Sequence, residues 1–176
     1  MIKFFVVFLG IIAFGLSAYY IMGLNPVILV NGDIIKSRDL KLAVGTAENY
    51  YGQVLATYNK SASSPLNDPQ LKKEISRAVL EKMIENAILK QTPLDEGLVR
   101  ERLDKALAAK NLEPAARTLY KMKFGEFVDL VLLPEVKKEI FLEQYGPDGL
   151  KNLKKEANIN VLISGYEWDG EKLLAR

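Results

Sequence analysis

Apolar and polar residues alternate with three different periods along this chain, and each period predicts a different kind of element. From Phe4 to Leu24 there is no charged residue at all. At roughly 1.5 Å per helical residue, such a stretch is long enough for the roughly 30 Å hydrocarbon core of a bilayer. Residues 1–24 are therefore expected to form a transmembrane signal-anchor, with Phe4, Phe5, Phe8, Leu9, Ile11, Ile12, Phe14 and Leu16 in contact with lipid and Tyr19 and Tyr20 near the outer interface. Lys3 precedes the stretch and the next basic residue is Lys36. That bias predicts a single-pass protein of the cell membrane, with a cytoplasmic N-terminus and an extracytoplasmic domain. A signal peptide cleaved after Ala18 is the competing reading, and it also sends residues 25–176 across the membrane.

Beyond Asn25-Pro26 the pattern becomes that of a small folded domain. Val27 to Val30 and Ile34-Ile35 flank Asn31-Gly32, two residues that tolerate positive φ, which predicts a β-hairpin. Ser37 then stands at the start of a stripe, Leu40, Val44, Ala47, Tyr51, Val54 and Tyr58, at spacings of four and three, which is one face of a helix. Asp68-Pro69 opens a second helix as cap and first turn, since proline there has no N–H to leave unsatisfied. Leu71, Ile75, Val79 and Ile88 fall on one side of it and Leu80, Ile84 and Ala87 on the other, so it is expected at the centre of the bundle. Asp95 caps a shorter helix that ends near Asn111. Glu113-Pro114 opens another to about Lys123, Phe124 to Tyr145 continues with an interruption at Pro134, and a short basic helix follows Gly146-Pro147. Ile159 to Ile163 reads as a strand and Asp169-Gly170 as a second hairpin turn. The expected fold is mainly α: a transmembrane helix, then five or six helices, with a small antiparallel sheet joining the two ends of the soluble part.

Composition narrows the chemistry. The 176 residues contain no histidine and no cysteine. Imidazole acid/base catalysis, thiolate nucleophiles, zinc-thiolate sites and disulfides are thereby removed. There is no phosphate-binding glycine loop and no nucleophile-elbow serine, so no catalytic, metal-binding or cofactor-binding residue is assigned. Acid pairs such as Asp95/Glu96 and Glu101/Asp104 read as helix caps and solvated faces. A net charge of +2, from 24 basic and 22 acidic residues, provides no field for nucleic acid.

Aromatics and methionines among the helices remain. Tyr50, Tyr51, Tyr58, Met122, Phe124 and Phe127, with Met83, are candidates to line a groove for apolar peptide segments, against the alternative that each simply packs in the core. The order of elements resembles the N-terminal chaperone module of the SurA, PpiD and PrsA family of extracytoplasmic foldases. The residues that carry the likeness are VNGDII (30–35) followed by SRDL (37–40), the helix VLEKMIENAILKQ (79–91) and the closing ANINVLI (157–163). The resemblance implies ATP-independent binding of unfolded or nascent exported polypeptides. The family's parvulin prolyl isomerase domain has no counterpart here beyond the short stretch 111–125, and its histidines are absent. The expectation is a non-enzymatic, membrane-anchored holdase of the bacterial envelope. The alternative is an adaptor or structural subunit that docks one specific envelope or secretion partner.

Overall fold

The computed structural model describes residues 19, 21–58, 68–108 and 112–176. Strand β1 (Pro26–Val30) turns through Asn31 and Gly32 into β2 (Asp33–Lys36). Both turn residues have positive φ, 50° and 92°, as a tight two-residue hairpin turn requires. Five helical segments follow in order: α1 (Ser37–Tyr58), α2 (Pro69–Gln91), α3 (Glu96–Leu107), α4 (Leu112–Thr118) and α5 (Phe124–Phe127). A single π-helical turn, Val128–Leu132, leads from α5 into α6 (Leu133–Glu156). The chain ends in β3 (Ile159–Val161) and the hairpin of β4 (Tyr166–Trp168) and β5 (Leu173–Ala175).

The expectation of a membrane-crossing N-terminal helix is corrected by this structure. Among the described residues no helix is long and apolar enough to cross a membrane. Phe4, Phe5, Phe8, Leu9, Ile11, Ile12, Phe14 and Leu16 lie outside the described residues. What is described of the apolar stretch is its end, where Tyr19 and Ile21 are helical and Gly23 adopts φ +66°. The Leu24 N–H bonds back to the Tyr19 carbonyl at 3.2 Å, the 6→1 closure of a helix stopped by a left-handed glycine. The Gly23 carbonyl then accepts from the Arg38 N–H at 2.8 Å, and a Cβ on Gly23 would lie 3.1 Å from that nitrogen. This stop is therefore packed onto the first turn of α1.

The sheet does join the two ends of the folded part. Its order is β2-β1-β3, all antiparallel, with Ile28 opposite Ile35 on one side and opposite Val161 on the other. Asn31 ties the three parts together. Its side-chain oxygen accepts from the Asn158 N–H at 2.7 Å, and its amide donates to Gln91 Oε1 at 3.0 Å at the end of α2. The second hairpin pairs only with itself. Asp169 Oδ1 accepts from the N–H groups of Glu171 and Lys172, and Gly170 supplies φ +102°.

The main core lies between the three-stranded sheet, α2 and β5. Val27, Ile28 and Val30 meet Leu80, Ile84, Ile88 and Leu173, all buried. On the other side of α2, Leu89 packs with Phe141 and Leu150 from α6. So α2 is sandwiched, though not along the expected division: Ile88 shares the main core with Leu80, Ile84 and Ala87, and the opposite contact is made by Leu89, which was in neither stripe. Asp68 caps it by accepting from Gln70 N at 2.8 Å, and Asp95 caps α3 by accepting from Leu98 N at 3.1 Å. Pro134 breaks the helical ladder as expected, and the break is accommodated upstream by the π turn. Gly146, at φ 69° and ψ 178°, bends α6 before Pro147. Glu85 of α2 bridges that bend. It accepts from Lys138 at 2.8 Å on one side of it and from Lys154 on the other. Burial would raise the Glu85 pKa, but these two ammonium partners outweigh it and hold the carboxyl below its ordinary value.

Candidate peptide-binding face

Helix α1 has the predicted apolar stripe, yet none of residues 37–56 is buried. Leu40 reaches the edge of the main core. Further along, Val44, Ala47, Tyr50 and Val54 are only half-covered, and Leu42 and Tyr51 are 47% and 44% exposed. A 22-residue helix in this state presents apolar surface that the rest of the fold does not close over.

Helix α1 lies alongside α2 and, at its start, beside β2, and further covering comes from a small satellite cluster. The short helix α4 ends at Thr118, before the expected Lys123, because Lys121 takes φ 52° and the Met122 N–H returns to the Ala116 carbonyl at 3.0 Å. That turn buries Ala116, Met122 and Phe127 together, with Leu112, Tyr120, Phe124, Val131 and Leu132 around them. Tyr120 leans out of this cluster and stacks on Tyr50 of α1, with centroids 5.0 Å apart and planes at 23°. Tyr50 meets Tyr51 edge-on at 5.6 Å, Tyr120 meets Phe127 at 5.0 Å, and Phe127 meets Phe124 at 6.5 Å. Four rings thus run without a gap from exposed Tyr51 on α1 to buried Phe127 in α5, and half-buried Phe124 adds a fifth.

The candidates from sequence divide accordingly. Tyr50, Tyr51, Phe124 and Phe127 belong to one aromatic ladder, and Met122 lies beneath it. Met122 and Phe127, at 6% and 5% exposure, form its floor and leave the open surface to the tyrosines. The side chain of Tyr58 lies outside the described residues. Met83 packs on the main core, away from the ladder. Tyr120, the ring that joins the two halves, was not among the candidates. Its spacing of four to Phe124 and seven to Phe127 continues their stripe backwards and was the available signal.

No family model, curated protein or solved structure matches this chain. Its chemistry therefore has to be read from its own side chains.

Burial first, and then the neighbouring Tyr50, Glu135 and Tyr51, push the Tyr120 hydroxyl above its ordinary pKa. It stays neutral at physiological pH. The ladder is thus a set of flat, uncharged, polarisable surfaces, which bind apolar groups without demanding one hydrogen-bond pattern. The acid pairs have other employment: Asp95 is a cap, and Glu101 is held below its ordinary pKa by a 2.7 Å bond from Lys105. Among the described residues no three acidic groups converge as metal ligands would.

Proposed function

We propose that this protein is an ATP-independent holdase that binds apolar stretches of unfolded, exported polypeptides along α1 and the aromatic ladder. The observation that carries the reading is the pairing of a long helix with no buried residue over 37–56 and a continuous row of rings that starts at exposed Tyr51. Its resemblance to the chaperone module of extracytoplasmic foldases supports the same reading. Contacts of this kind are individually weak, because the face is already half-desolvated and open at its rim. A client held in this way exchanges quickly and can leave to fold. No nucleotide or cofactor enters this scheme.

The test is suppression of aggregation of an unfolded exported protein by the full chain, beside the double variant Tyr50→Ala/Tyr51→Ala. Loss of most of the suppression, with the fold retained by circular dichroism, is the expected result. Equal suppression by both would remove the ladder from client binding. A photoreactive group at position 51 should give many weak crosslinks. One dominant crosslinked species would point instead to an adaptor for a single folded partner.

A further inference from the structure

Between α3 and α6 apolar side chains come up to the surface. Val99 is buried there against Val136 and Ile140, but Leu94, Leu103 and Leu133 around it are only half-covered. Together with Val99 they line a groove of about 720 Å³ that also touches Thr92 and Pro93 after α2. That size is within the range of clefts that hold ligands. The groove is open to solvent, since Gln91, Pro93, Glu96 and Arg100 along it are all exposed.

Its charges are unbalanced. Lys90 at the end of α2, Arg100 on α3 and Lys137 on α6 line it, against one acid, Glu96. Elsewhere the same helices neutralise their cations across the interface: Arg102 meets Glu143 and Lys138 meets Glu85, both at 2.8 Å. Arg100 and Lys137 are the near neighbours of those two, yet among the described residues neither makes an ion pair, although Glu96 stands one turn before Arg100. Lys90 is held only by Asp33, at 3.7 Å. Cations without partners beside leucines left in water add little to the stability of the domain itself, and an apolar patch with a polar rim is the usual mark of an interaction surface.

A ligand that answers both features carries carboxylates next to apolar groups. Nucleic acid does not, since no aromatic ring lines the groove for a base to stack on. A fatty acid brings one carboxylate and a chain that needs enclosing, whereas these cations come from three helices around an open trough. A polypeptide segment supplies several groups of each kind. We infer that the groove docks an acidic, leucine-bearing segment of a partner polypeptide, with its apolar side chains on Leu94, Val99, Leu103 and Leu133 and its carboxylates on Arg100 and Lys137. Recognition here is selective by charge, as it is not on the uncharged ladder of α1, and the inference stands independently of the holdase reading.

The probe is a fluorescent peptide of alternating leucine and glutamate pairs, titrated against the full chain by polarisation. Peptides with glutamine for glutamate, or serine for leucine, are each expected to bind weaker by about tenfold. The variant Arg100→Glu/Lys137→Glu should lose the acidic peptide and bind instead the counterpart with lysine for glutamate. In the unaltered protein, the methyl resonances of Leu103 and Leu133 should shift on binding, a readout that does not depend on the variant folding. Equal binding of the glutamate and glutamine peptides, or methyl groups that stay where they were, overturns the inference. Displacement of the peptide by an equal concentration of decanoate also overturns it, and assigns the groove to a lipid carboxylate. Tyr50→Ala/Tyr51→Ala should bind the peptide as wild type does; loss of binding in that variant would place the peptide on the aromatic ladder and sink the groove.

Discussion

Helices α1 and α2 are nearly the same length, 22 and 23 residues, and follow one another in the chain, yet they are held in opposite ways. Helix α2 buries Ile75, Leu80, Ile84, Ile88 and Leu89, on more than one side. It is also stitched to α6 by Glu85 and by the Lys82–Glu135 pair. Over residues 37–56, helix α1 buries no residue, although it lies alongside α2 and is stacked on Tyr120 through Tyr50. The stability of the domain is concentrated in α2 and the sheet. Surface available to another molecule is concentrated in α1. A segment with few buried contacts can shift or open without unfolding the rest, and that is where binding surfaces are commonly found.

The comparison can be broken most directly by truncating each helix. Ile84 is 0% exposed at the centre of the main core, so Ile84→Ala should cost about 3 kcal/mol in chemical denaturation. If it costs less than an equivalent truncation in α1, the division of labour is wrong. Next in size is Glu85→Gln, expected to cost about 2 kcal/mol at neutral pH, because two ammonium groups lose a charged acceptor that is largely buried. The folded pKa of Glu85 lies below its unfolded value, so its contribution is complete above the ordinary carboxylate range and is lost as pH falls through it. The difference between wild type and Glu85→Gln should accordingly shrink on acidification below about pH 4. A gap that stays constant to pH 2 would show that the two lysines do not set the effect.

Tyr50→Ala should cost about 1 kcal/mol through the lost stack, with a larger proportional loss of client binding. Leu42→Ala should be the mildest, within about 0.5 kcal/mol, since the side chain is half in solvent. It sharpens the comparison if the proposed suppression of aggregation falls while stability does not.

Much of this arrangement was readable in the residues, for local reasons. Asn31-Gly32 and Asp169-Gly170 mark turns that need positive φ at one or both positions, and Asp68 and Asp95 are acceptors placed before helices that need them. The two-sided greasiness of α2 foretold its central position. Depth was harder to read. The stripe of α1 has the same spacing that a buried helix would have, and periodicity shows which side faces the domain without showing whether anything seals it. Tyr120 was missed because it sits in a non-helical turn, and its partner Tyr50 is 70 positions away in sequence. The apolar run at the start had the length of a membrane span. Its described end is a glycine stop packed against Arg38, a tertiary contact that hydropathy does not encode.

The clamp at Asn31 has a kinetic consequence. Its partner Asn158 is 127 residues further along the chain. The hairpin can form early, but β1 keeps one side unmatched until nearly the whole domain has been made. Closing so long a loop is slow compared with winding the intervening helices. Synthesis that stalls short of residue 158 would therefore leave helices in place around a sheet that has not yet shut, and such intermediates should be the aggregation-prone species of this protein.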